Sequence, residues 1–208
     1  MKILWRYLKG TVIRPFKTFE RLQDDPQRIS KSFQAILLIG ILYTLTVVML
    51  AAGGALISAP AFLALSPENY YFWEMFFALP VVVLGWILAA GFAHLLSRGG
   101  KGRGTFEGTL AVLGFAVAVP QSVTWLTETA FAILLLLGMK QEEFMELSAQ
   151  PGFWQTFVIA YQAIAVTWML FLVILGLRAS QRLKWRRAIL FGLLTTVLFM
   201  AVMIIFIR

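Results

Sequence analysis

The chain contains no cysteine, which excludes disulfides, thiol redox chemistry and thiolate metal ligation and leaves the redox compartment open. Charge is scarce too. Asp, Glu, Lys and Arg supply only 13% of the 208 residues, about half the roughly 25% of an average soluble domain. A soluble fold of this size needs a large polar skin, and 28 charged side chains cannot provide it. There is a single histidine, His94. With no Cys and almost no carboxylate in the apolar runs to accompany it, a metal centre or a His-based triad has no partners, so no metal, no cofactor and no catalytic residue is expected. What the chain does have is hydrophobicity, 60% of its residues, with a mean hydropathy of +0.82. The bilayer is the solvent that such a composition calls for.

Five long apolar runs predict an all-α, polytopic membrane protein with spans at about 33–57, 75–97, 109–130, 154–177 and 188–207. The first runs from Phe33 to just before Pro60, and Tyr70, Tyr71 and Trp73 read as an interfacial belt ahead of the second. The third run, 109–138, carries one carboxylate, Glu128. Its 30 positions would reach about 45 Å at 1.5 Å per residue, so its end, Phe131 to Leu137, is an extension or an interfacial turn.

Lysine and arginine near span ends sort to the cytoplasmic side. The segments before span one, between two and three, and between four and five hold eight, three and five of them, sixteen of the eighteen in the chain. The alternate segments carry Glu68, Glu74, Glu142, Glu143 and Glu146, with Lys140 and Arg208 as their basic groups. A cytoplasmic N-terminus and a non-cytoplasmic C-terminus follow. The charge distribution therefore excludes both a sixth crossing in the long third run and a nucleic-acid reading of the net +8.

Residues 1–32 form a basic amphipathic cytoplasmic segment without the apolar core or cleavage site of a signal peptide, so nothing is expected to be removed. Trp5, Leu8, Val12, Phe16 and Phe19 recur every three or four positions among Lys2, Arg6, Lys9, Lys17 and Arg21, and Pro15 divides the segment into two short helices. Those apolar residues face either an anionic leaflet or the ends of the chain's own spans.

Three groups of residues are candidates for function. Arg98, Lys101 and Arg103 stand in a Gly-rich turn, Gly99 to Thr105, which is a tight positive-inside turn able to touch lipid headgroups but lacks the ending of a nucleotide P-loop. Gln121, Thr124 and Glu128 share a face of span three, with Gln155 and Gln162 on the corresponding half of span four. These five predict a polar seam, closed by hydrogen bonds or opening as a wet crevice. Gly85, Ala89 and Ala93 on span two and Gly114 and Ala118 on span three form small-residue stripes along which these helices would pack. Pro80 and Pro120 are expected to kink the same two spans. Glu142-Glu143 lacks the arginine of the membrane CAAX-protease motif, where Leu147 stands, and lies on the non-cytoplasmic side, which excludes that enzyme. Phe72-Trp73 and Phe153-Trp154 each open a span with a later tryptophan, Trp86 and Trp168, a weak internal echo compatible with duplication.

Three segments resemble the Yip1 domain family in its shorter prokaryotic form. Arg14-Pro15-Phe16-Lys17-Thr18-Phe19 with Leu22 is similar to that family's Arg-Pro-x-x-Thr-Phe motif. Gly99-Gly100-Lys101-Gly102 through Phe106, with Gly114-Phe115 and Pro120, resembles its glycine turn and third span, and Leu177 to Ala188 resembles its last basic turn. The acidic Asp-Leu-Tyr-Gly-Pro segment of eukaryotic members is absent, so their link to small GTPases does not carry over. The resemblance implies a five-span, N-in protein without catalysis, in the inner membrane of a prokaryote, that organises membrane lipids, copies of itself or other membrane proteins. The rival reading from the residues is a small transporter or channel using the polar seam.

Overall fold

A computed structural model describes residues 2–57 and 62–207, so Pro60 and Arg208 lie outside the described residues. The fold is entirely helical: α1 (Lys2–Ile13), α2 (Pro15–Gln23), α3 (Arg28–Ala52), α4 (Tyr70–Gly99, preceded by a 3₁₀ turn at Pro67–Asn69), α5 (Phe106–Leu136), α6 (Gln141–Ala149), α7 (Phe153–Gln181) and α8 (Trp185–Phe206). Five of these, α3, α4, α5, α7 and α8, are long and apolar enough to cross a membrane. At 22 to 31 residues they measure roughly 33 to 47 Å, against a hydrocarbon core of about 30 Å. The first span starts and ends about five residues earlier than the uncharged run, because Arg28 and Lys31 already belong to its first turn. Pro80 and Pro120 both lie inside unbroken helices, and α5 continues helically through Phe131 to Leu136 before Gly138 turns the chain at φ 98°.

The core is centred on α5. Every residue from Ala111 to Pro120 is buried, so this stretch has protein on all sides. It is held to α3 by Ser32 Oγ, which donates to the Ala111 carbonyl at 2.5 Å, and to α4 by Trp86 Nε1, which donates to the Leu110 carbonyl at 2.9 Å. Further along, Trp125 Nε1 donates to the Leu42 carbonyl at 3.1 Å and the Thr46 and Thr129 hydroxyls meet at 2.7 Å. Lipid offers no competing partner, so such bonds between helices each contribute about 0.6–2 kcal/mol.

The amphipathic N-terminal segment divides at Pro15 into α1 and α2, and its apolar residues divide as well. Phe19 and Leu22 are fully buried in the same core as Phe115 and Leu172, with Leu8 and Phe16 packed at its edge. Trp5 and Val12 remain exposed. The segment is therefore docked on its own spans through α2 while part of α1 faces outward.

Candidate functional site

The helix order places the α4–α5 turn, the α7–α8 turn and α1–α2 at one end of the bundle, and the α3–α4 loop and α6 at the other. At the first end the glycine turn folds onto the α7–α8 turn through Gln181. This side chain is buried; its Nε2 donates to Thr109 Oγ1 at 2.6 Å and to the Thr105 carbonyl at 3.2 Å, and stands 3.1 Å from His94 Nδ1. Its Oε1 accepts from the Gly104 amide at 3.2 Å, and its carbonyl accepts from the Arg103 amide at 3.1 Å. The amides of Gly100, Lys101 and Gly102 bond to Leu96, Arg98 and Ser97 carbonyls. An anion-binding nest needs free amides, and these five are already engaged. The turn is structural, and Arg98, Lys101 and Arg103 reach solvent only as exposed side chains. The close approach explains the glycines: a Cβ at Gly104 would fall on the Ser180 carbonyl oxygen, and one at Gly100 on the Phe191 ring. His94 is a hydrogen-bonding member of this knot.

At the same end Arg28 pairs with Glu107 at 3.2 Å, Arg187 donates to the Gly100 carbonyl at 2.5 Å, and the Arg178 guanidinium lies 3.8 Å above the Trp185 ring. Tyr7 donates to Asp25 at 2.7 Å, and Asp25 also forms an ion pair with Lys31. Burial alone would raise the Asp25 carboxyl, but hydrogen bonds from Lys31, Tyr7 and the Gln27 amide outweigh it and leave it below the usual carboxylate range. Burial, together with the hydrogen bond to and charge of Asp25, pushes the Tyr7 phenol up to about 12.

In the other half of the bundle, Gln121, Thr124 and Glu128 of α5 and Gln162 of α7 line one cavity of about 330 Å³, together with Tyr43, Tyr161 and an apolar wall that includes Met169, Phe199 and Met203. Gln155 does not join them; its amide donates to the Ala149 carbonyl near α6 at 3.4 Å. Among the described residues no hydrogen bond links Gln121, Thr124 or Glu128 to another helix, so the seam is a crevice rather than a closed ladder. Glu74 adds a second carboxylate nearby. Counted in sequence as a loop charge, it is fully buried in the first turns of α4 and accepts from the Tyr43 hydroxyl at 3.2 Å. Tyr70 and Tyr71, expected at the interface, are buried as well, and the Tyr70 hydroxyl donates to the Phe206 carbonyl at 3.0 Å. The residues that do face outward there are Phe72, Trp73 and Phe76. A signal was available: Tyr70, Tyr71, Glu74, Ala78, Val81, Val82 and Gly85 share one face at helical spacing.

The small-residue stripes pack, but not only against each other. Gly85 lies under Phe199 of α8, with 3.3 Å from its would-be Cβ to the ring, and Gly114 lies against Ser32 of α3 at 2.7 Å. Ala89, Ala93 and Ala118 are buried. The expected single interface between spans two and three is thus distributed over α3, α4, α5 and α8.

The sequence model of the Yip1 domain matches residues 9–207. The chain belongs to the Yip1 domain family. No curated protein and no solved structure matches it. The Yip1 match begins at Lys9, within α1, and takes in all of α2 and all five spans, so the end of α1 and the whole of α2, which packs on α7, fall inside the matched region.

Proposed function

We propose that this Yip1-family integral membrane protein is a non-enzymatic organiser of membrane lipids and partner proteins, its basic end on the cytoplasmic side of a prokaryotic inner membrane. One observation carries the reading: three basic segments far apart in sequence gather at one end of the bundle through the Arg28–Glu107, Gln181–Arg103 and Arg187–Gly100 contacts. Such a one-sided cluster is what the positive-inside rule selects. Helix association and this face then do the work, with copies of the same chain or other membrane proteins as partners.

The chain has no native cysteine, so single-cysteine labelling gives a direct test. Cysteine at Lys184 reacts only from the cytoplasm and cysteine at Glu143 only from outside; labelling at 143 from the cytoplasm overturns the orientation. Purification in native lipid, followed by mass spectrometry, is expected to recover the chain with itself or with membrane partners, and a strictly monomeric, partner-free species argues against organisation.

The crevice supports a second reading, a small transporter. Glu128 is an ionisable group within a helix long and apolar enough to cross a membrane, and it lines the crevice; such groups mark ion or proton paths. Liposomes holding the wild-type protein would then leak protons or cations across an imposed gradient, and Glu128→Gln would abolish that flux. No flux above protein-free liposomes removes this reading.

A further inference from the structure

A cleft of about 560 Å³ lies between α1 and α2. Its edges carry Arg6, Lys9, Arg14, Lys17 and Arg21, all exposed. The described residues hold two ion pairs, Arg28–Glu107 and Lys31–Asp25, and neither uses any of these five cations. Among the described residues Asp25 is the one carboxylate lining the cleft; Lys31, which lines it too, neutralises that charge. The cleft therefore presents five uncompensated positive charges around a single concavity.

The cleft is also held in shape. Gly10 of α1 sits so close to Thr18 of α2 that a Cβ there would stand 2.6 Å from the Thr18 hydroxyl, and Thr18 itself donates to the Arg14 carbonyl at 2.9 Å. Tyr7, Asp25 and Lys31 tie α1 to the start of α3 at the floor. Phe19 and Leu22 anchor α2 in the core on its opposite face. The scaffold, not the exposed side chains, is what is fixed: with both helices held in place, binding an anion need not order the backbone that carries the cations. Arg14 and Thr18, both lining the cleft, stand at specified positions of the Arg-Pro-x-x-Thr-Phe motif.

We infer that the α1–α2 cleft binds the phosphate-bearing headgroup of an anionic lipid. Five cations favour a headgroup with more than one phosphate charge, and Arg and Lys are the side chains that meet phosphate oxygens. The apolar residues beside the charges select a lipid over a free phosphate. Ile3 and Ile13 line the cleft, and with Trp5 they are 45%, 60% and 62% exposed. This pairing of basic charge and apolar surface is the two-part signal needed for stable contact with an anionic leaflet. The glycine turn is a poor competitor because its amides are engaged. The inference deepens the organiser reading and depends on it only for which leaflet supplies the lipid.

The test uses the full-length protein in mixed micelles of phosphatidylcholine, phosphatidylglycerol and cardiolipin, with bound lipid read by native mass spectrometry. The wild type should retain the two-phosphate cardiolipin at least tenfold over phosphatidylcholine, less so as salt rises and the screening length falls below about 8 Å. Arg6→Gln/Lys9→Gln/Lys17→Gln should lose that preference, while the charge-keeping Arg6→Lys/Lys9→Arg/Lys17→Arg should keep it. Arg182→Gln/Lys184→Gln/Arg186→Gln removes as many charges from the α7–α8 turn of the same basic end and should lower retention far less than the cleft triple does, with melting in detergent confirming that all variants fold. Equal loss in both Gln triples overturns the cleft in favour of diffuse charge. Pyrophosphate that displaces cardiolipin and binds as tightly in its absence overturns the lipid assignment. Orientation is read separately by cysteine labelling: an outward-facing basic end with cardiolipin retention intact would sink the organiser reading and leave the cleft standing.

Discussion

The two halves of α5 differ both in their residues and in their surroundings: six polar side chains, Gln121, Ser122, Thr124, Thr127, Glu128 and Thr129, stand in the second and one, Thr109, between Gly108 and Pro120 in the first. From Gly108 to Pro120 it is almost wholly buried, while from Gln121 to Leu136 only Ala132 and Leu135 are. The first half lies against α1, α2, α3 and α7 at the end where the Gln181 knot closes, so small residues there sit against backbone. The second half forms one wall of the 330 Å³ crevice and exposes polar groups to it. One continuous helix thus serves a packed core along its small apolar residues and a cavity along its polar ones. What separates them is the number of helices surrounding each half: α7 meets α5 through its Ala165–Gln181 half, where its buried residues lie, and leaves its first turns exposed.

The largest effects are expected where glycine meets backbone in the packed half of α5 and in the turn that leads into it. Gly104→Leu drives a side chain into the Ser180 carbonyl, and Gly114→Leu into Ser32, where even the backbone oxygen is 3.1 Å from the Cβ position. Overpacking of this kind costs about 1–3 kcal/mol or more, and both variants should melt well below the wild type in detergent. Unchanged melting of both would erase the contrast between the two halves.

Gln181→Leu comes next. It leaves the Gly104 amide without its acceptor and takes one donor each from the Thr105 carbonyl and the Thr109 hydroxyl, which keep their bond to each other, at about 1–3 kcal/mol for the amide left unsatisfied. Thermal melting, together with faster hydrogen exchange at the Arg103 and Gly104 amides, checks it; protection unchanged at both amides would show that the turn does not depend on this side chain.

A smaller, pH-dependent effect belongs to the N-terminal helices. The folded Asp25 carboxyl is depressed, so its contribution is present above its ordinary value of 3.8 and is lost as pH falls through the lower folded value. Tyr7 works in the opposite sense: its folded phenol is raised, so its contribution is complete below 10 and is lost as pH rises through about 12. Asp25→Asn should flatten the acid limb of a melting-versus-pH curve, and Tyr7→Phe the alkaline limb. An acid limb that stays as steep in Asp25→Asn would assign it to other carboxylates.

The smallest effect is expected in the crevice. Glu128→Gln keeps the shape of a side chain that hydrogen-bonds to no other helix among the described residues, so melting should move by no more than about 0.5 kcal/mol equivalent. A loss matching that of Gln181→Leu would make the crevice as structural as the knot and remove the difference between the halves of α5.

Much of the architecture was legible because it is local. A run of 20 or more uncharged residues has to satisfy its own backbone hydrogen bonds in a membrane, which makes it a helix whatever its neighbours are. Pro15 breaks the N-terminal segment for a similarly local reason, its missing N–H. Arg14 to Leu22 likewise carried the family resemblance that the match over residues 9–207 bears out.

The sites were less legible. Position along the chain made Glu74 a loop charge and Tyr70 an interfacial ring, since sequence distance from an apolar run says nothing of which face of the first turn meets α3 or α8. Gln181 gave no sign at all: its partners lie 72 to 87 residues away.

By itself the sequence determined the solvent, the number of spans and the clustering of basic residues into alternate segments, because hydrophobicity and charge act residue by residue against the bilayer. Only the tertiary structure decided which helix each glycine approaches, that Gln121, Thr124, Glu128 and Gln162 enclose a crevice while Gln155 does not, and that α1 and α2 form a cleft. Those outcomes depend on how helices cross, and in lipid, where apolar surface gains little from leaving its solvent, crossing is set by close packing and interhelical hydrogen bonds among residues distant in the chain.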